Sequence, residues 1–223
     1  MVGLKKIVFF AGILTIVLFV SGIWFGLNMQ SARIDELTQE YSGIKTQWED
    51  MLQSSEFVQL ASGGDNCELI VEENMKIADR IYESALRAED YNAQNEFGLS
   101  TGDIKYDTNL LRFQVWMNSI KIQQHCDADY VNVIYFYEDN AEGSTKFKQE
   151  KISFLLSELK EKYGKRILLL PIATNLNLKS IESARKFYSV KKSPAILIAE
   201  EFVEDGLDEE ELDVVLSKQN PDE

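Results

Sequence analysis

The stretch Tyr130–Lys148, YVNVIYFYEDNAEGSTKFK, decides how the rest of the chain is read. Its first eight positions, Tyr130–Tyr137, are β-branched and aromatic with little interruption, the pattern of a strand buried on both faces. Glu138–Gly143 supplies turn formers, and Ser144–Tyr163 follows with Ile152, Leu155, Leu156, Leu159 and Tyr163 at helical spacing. Gly164 suits the C-terminal cap of that helix. A strand, a short polar loop and an amphipathic helix in this order predict an α/β unit whose loop lies where such units carry their chemistry.

Outward from this stretch the pattern continues. Arg166–Ala173, RILLLPIA, reads as a second buried strand, with Pro171 near its end because proline cannot donate to a ladder. Leu178–Tyr188 predicts a shorter helix with Ile181, Ala184, Arg185 and Tyr188 on one face. Ala195–Ala199 and Phe202–Val203 read as two strands around acidic turn residues. Gly206 precedes a last helix opened by Asp208-Glu209-Glu210-Glu211 and turned inward at Leu212, Val215 and Leu216. The order is β-α-β, then α, then β-β-α.

Toward the N-terminus, Ile7–Met29 runs 23 residues without a charge. At the helical rise it reaches ~34 Å, enough to cross a hydrocarbon core. Lys5 and Lys6 precede it, which places the N-terminus in the cytoplasm by the positive-inside rule and everything after Met29 outside. A cleaved signal peptide with Val20-Ser21-Gly22 at its processing site is the rival reading. The apolar run through Ile23, Trp24, Phe25 and Leu27 is long for that, and an uncleaved anchor is preferred.

Between anchor and α/β unit the chain reads as helical. Ile34, Leu37, Tyr41, Ile44, Trp48 and Met51 alternate at spacings of three and four, a heptad seam. Two outcomes are open: a coiled coil joining copies of the chain through Ile34–Met51, or a stripe packed on later helices of the same chain. Ala61–Asp65 breaks this helix. A second helix, capped by Asp65 or Asn66, runs to about Asp90 with Ile70, Ile77, Ile81, Ala85 and Ala88 on one face. Asn95–Asp107 reads as a connection. A third helix spans Thr108–Gln124 with apolar stripes on two sides, Leu110, Phe113, Met117, Ile120 and Leu111, Val115, Ile122.

Cys67 opens the second helix and Cys126 closes the third. An antiparallel hairpin sets those ends side by side, so the two cysteines are expected to be bonded in an oxidising exterior. The alternative is a reactive exchange pair, for which neither a CxxC nor an adjacent lysine is present. His125 is the only histidine, leaving too few soft ligands for a metal, and no cofactor is expected. The formal charge is −14, and only two of the 23 basic side chains lie in the N-terminal anchor region. A surface this acidic repels phosphate backbones, which sets nucleic-acid binding aside.

The strand VNVIYFYEDN, together with Tyr188-Ser189-Val190-Lys191-Lys192-Ser193-Pro194-Ala195-Ile196-Leu197-Ile198, resembles the thioredoxin-like superfamily. The resemblance implies a thioredoxin-like domain over residues 129–219, with Pro194 in the cis form facing the loop after the first strand. A membrane-anchored helical part before such a domain is similar to small archaeal envelope proteins. The expected organisation is therefore a cytoplasmic tip and anchor (1–29), a helical stalk and hairpin (30–128), the thioredoxin-like domain (129–219) and a tail (220–223). The family's redox motif would fall within Asn140–Lys148, where no thiol is present. Ser144 or Thr145 is expected to cap the helix there and not to act as a nucleophile.

The resemblance thus implies a redox-inactive, non-catalytic interaction or scaffolding module, presented outside the cell membrane by a single span. Its peptide-binding candidates are Ser193, Pro194, Ser144 and Thr145, with a protein or peptide partner; Pro194 serving only to shape the sheet edge stands beside that reading. The runner-up is an envelope thiol-disulfide oxidoreductase or chaperone working through Cys67 and Cys126.

Overall fold

The structure is a computed structural model that describes residues 3–62, 67–94, 102–126 and 128–203. The elements run α1 (Leu4–Ser62), α2 (Cys67–Gln94), α3 (Gly102–His125), β1 (Val131–Tyr137), α4 (Gly143–Tyr163), β2 (Ile167–Ala173), α5 (Lys179–Phe187), β3 (Ala195–Ile198) and β4 (Glu201–Val203). The protein is mainly helical, with a small mixed sheet and one apolar N-terminal helix. Two compact units divide it, Met1–Glu40 and Tyr41–Glu223.

In the first unit, Val8–Gly26 has a mean hydropathy of 2.4 and buries none of its length, so it is long and apolar enough to span a membrane. Its few polar side chains are satisfied on their own helix. Thr15 Oγ1 donates to the Ala11 carbonyl at 2.9 Å, Ser21 Oγ to Leu18 at 3.0 Å, and Asn28 Nδ2 to Trp24 at 2.8 Å. Such back-bonding leaves neither hydroxyl of the span, Thr15 nor Ser21, looking for water, which suits a hydrocarbon surrounding.

The second unit is built on a four-stranded sheet of order β2-β1-β3-β4. β1 and β2 are parallel, in register from Val131 opposite Ile167 to Tyr137 opposite Ala173. β3 runs antiparallel to β1, with Phe136 opposite Ala195, and β4 returns antiparallel to β3. The β3–β4 connection is the two-residue turn Ala199-Glu200, both left-handed at φ 48° and 63°, the geometry that matches the twist of a tight hairpin.

Alternate residues of the strands serve two cores. On one face Val131, Val133, Tyr135, Ile167, Leu169, Ile196 and Ile198 meet Leu156 and Leu159 of α4. On the other, Ile134, Phe136, Leu168, Leu170, Ile172 and Leu197 meet α5 and the helical layer, including Ile77 and Ile81 of α2 and Leu111, Val115 and Trp116 of α3. Ile44, Trp48 and Met51 of α1 are buried in this same cluster.

The heptad stripe is therefore core from Ile44 onward, and the coiled coil through Ile34–Met51 does not form over that part. Tyr and Trp at seam positions are too bulky for a tight two-stranded coil and fit a mixed core instead. The side chains of Ile34 and Leu37 lie outside the described residues. The boundary drawn at 128/129 likewise does not separate compact units, because hairpin and sheet share a core.

α3 starts at Gly102, inside the segment read as a connection, and Lys105 in the added part pairs with Asp139, just beyond β1. The caps Asp65 and Asn66 and the last helix after Gly206 fall outside the described residues, as does the side chain of Ala88.

β2 is an edge strand, and α3 closes it. Asn109 donates to the Ala173 carbonyl and accepts from the Ala173 N–H, both at 2.8 Å, as a neighbouring strand would. Arg112, only 6% exposed, donates to the Pro171 carbonyl at 2.9 Å. Pro171 thus lies within β2 and not at its end, at a position whose missing N–H costs no ladder bond.

Candidate functional site

Register assembles the candidate site. Because Ala195 lies opposite Phe136, the Ser193–Pro194 bond at the start of β3 reaches the same sheet edge as the loop leaving β1. That bond is cis. Pro194 is buried and Ser193 half-buried. Ser193 Oγ lies 2.9 Å from Thr174 Oγ1, which itself donates to the Tyr137 carbonyl at 3.0 Å. With the threonine proton used there, Ser193 is the donor of the pair.

The loop is clamped from both sides by side-chain amides. Gln149 of α4 accepts from the Glu138 N–H at 2.9 Å and donates to its carbonyl at 3.1 Å. Asn175 does the same for Asp139, at 2.8 Å each way. Lys105 holds the Asp139 carboxylate at 3.0 Å, and Asn140 Nδ2 donates to it at 2.8 Å. Asn140 adopts a left-handed φ of 57°, which asparagine tolerates better than other non-glycine residues. The result is a clamped polar rim without a thiol and, among the described residues, without a metal-ligand cluster.

Ser144 and Thr145 do not cap α4. The helix begins one residue earlier, at Gly143 with φ 55°, behind an extended Glu142 that makes no side-chain capping bond. Ser144 is exposed and Thr145 half-buried in the first turn, on the same edge as Ser193, with no hydrogen bond to it.

Cys67 and Cys126 form a disulfide with Cα atoms 5.5 Å apart, at the end of the α2–α3 hairpin. It belongs to the opposite end of the sheet. α3 meets Asp139, just beyond the end of β1, through Lys105, and meets Tyr130, just before its start, through Gln123 Nε2 at 2.9 Å from the Tyr130 carbonyl. Seven residues of strand separate the two ends, ~20 Å, so this pair does not serve the Ser193 edge.

A second polar cluster, missed in the sequence, lies at that far end. Asn132, fully buried, donates to Gln123 Oε1 at 2.9 Å and Glu200 Oε1 at 2.8 Å, and accepts from Ser119 Oγ. Trp116 Nε1 also donates to Glu200, at 3.2 Å. Tyr130 completes the cluster through Ser119, and burial raises its hydroxyl pKa above the usual tyrosine value. The Glu200 carboxylate and an Ala199 N–H bond to the Asn132 carbonyl at 2.9 Å together hold the left-handed turn in place. The available signal was Asn132 itself: an amide inside an apolar strand must find partners.

No family model and no curated protein matches this chain.

Proposed function

We propose that this protein is a single-pass membrane protein whose second unit is a redox-inactive, thioredoxin-like module that binds an extended segment of a partner protein at the Ser193–Pro194 edge. The register that brings Ser193–Pro194 beside the amide-clamped loop Glu138–Glu142 carries the reading. Parallel β1 and β2 joined through α4, followed by an antiparallel β3–β4 hairpin, support the thioredoxin-like assignment. A helix of span length after Lys5 and Lys6 supports a cytoplasmic N-terminus and a second unit outside.

The module works by presentation. The backbone beside Pro194 offers a strand-like set of donors and acceptors to an extended peptide, and the rim supplies specificity without chemistry. A photo-reactive residue at position 193, irradiated in intact membranes, tests this. Reproducible adducts with one extracytoplasmic protein, absent when the same residue stands at exposed Glu158 on α4, are expected. Identical adducts from both positions, or none from 193, would contradict it.

A further inference from the structure

The α5–β3 connection differs in charge from the rest of the chain. From Ser183 to Ala199 there are four cations, Arg185, Lys186, Lys191 and Lys192, and no acid, in a protein with 37 acidic and 23 basic side chains. Lys186 is engaged by Glu182 at 3.2 Å. Lys191 and Lys192 are exposed and have no carboxylate partner among the described residues. The backbone N–H and C=O groups of Lys191, Lys192 and Ser193 also take no partner there. One turn away, Phe187 stands 80% exposed, its ring held edge-on by Tyr188 at 4.9 Å.

These features lie before Pro194 and combine what a short peptide needs: backbone groups and two cations without partners among the described residues, and an aromatic anchor on a fixed helix end. Resting on the peptide-binding reading above, we infer that the segment bound at this edge is acidic, its carboxylates meeting Lys191 and Lys192 and an apolar side chain covering Phe187. Charge complementarity selects this occupant. An anionic lipid surface would meet the same two lysines, but it would also meet a protein that is strongly acidic elsewhere and be repelled by it.

The test uses the full chain in detergent micelles and a fluorescent acidic peptide of about ten residues carrying one phenylalanine, beside the same peptide with Gln and Asn in place of Glu and Asp. The acidic form is expected to bind about tenfold more tightly, an advantage that shrinks with added salt and disappears in the Lys191→Glu, Lys192→Glu double variant. Both lysines are exposed, and an unchanged near-UV circular dichroism spectrum verifies that the variant folds. Equal binding of both peptides overturns the acidic preference and leaves the peptide-binding edge standing. Binding to vesicles of phosphatidylcholine and phosphatidylglycerol but to neither peptide overturns both in favour of a lipid surface. Binding to none overturns both. Tighter peptide binding after Glu209→Gln, Glu210→Gln and Glu211→Gln reassigns the loop to the chain's own acidic segment and overturns the external partner.

Discussion

Replacing Trp48 with alanine separates a core helix from a free stalk. Trp48 is 4% exposed and lies among Ile44, Met51, Trp116 and the sheet residues of the larger core. A buried tryptophan removes roughly 200 Å² of surface from water, worth up to ~5 kcal/mol at 25 cal/mol per Å². A compact unfolded chain already hides part of that surface, while the cavity left behind adds a cost, so ~4 kcal/mol is expected. That is a large fraction of the ~5–15 kcal/mol that stabilises a typical domain.

Urea unfolding of the full chain in detergent, followed by near-UV circular dichroism, measures it. The midpoint should fall steeply with little change in slope. Trp24→Ala, at a side chain 67% exposed in the apolar span, serves as the control and should leave the transition of the second unit unmoved. A cost below ~1 kcal/mol for Trp48→Ala, accompanied by loss of oligomer mass, would refute the argument and restore an intermolecular seam.

The remaining predictions concern the polar cluster, the disulfide and pH. Asn132→Ala deletes three side-chain hydrogen bonds and frees the β3–β4 turn, so thermal unfolding should report a loss of ~3 kcal/mol, far above the cost of an exposed asparagine. Cys67→Ser with Cys126→Ser opens a loop spanning 59 positions and should lower stability by ~4 kcal/mol on the chain-entropy estimate while leaving peptide binding at the Ser193 edge intact.

Burial, with Asp107 and Glu49 adding to it, pushes the Tyr41 hydroxyl from 10.0 up to about 12. The folded chain holds this proton more tightly, so the contribution is complete below pH 10 and lost as pH rises through 12. Denaturation across that range should show a shallower alkaline fall for Tyr41→Phe than for the parent.

Much of the sheet was legible because its strands are nearly continuous apolar runs. Tyr130–Tyr137 and Arg166–Ala173 became Val131–Tyr137 and Ile167–Ala173, and Ala195 marks the start of β3 in both readings. Periodicity found α4 and α5 in the same way. What it did not carry was destination. The stripe through Ile44, Trp48 and Met51 was visible, but spacing alone does not say whether such a face meets a second chain or its own sheet.

Polar residues at turns and edges were the other gap. Asn109, Asn175 and Gln149 use their amides as surrogate backbone, a role set by tertiary position and silent in composition. Ser144 is not the cap because α4 begins at Gly143, behind an extended Glu142 that makes no side-chain capping bond. At the candidate site, Ser193 and Pro194 were readable from sequence, whereas the clamps that make the loop rigid were not.

Hydrogen exchange of the full chain with and without the acidic peptide tests the central claim most directly. Slowed exchange confined to Glu138–Thr145 and Lys191–Ala195, with Gly102–His125 unchanged, is the predicted result. Protection centred on Glu201–Val203 or on the Cys67–Cys126 end of the hairpin, with the Ser193 edge exchanging as before, would contradict it.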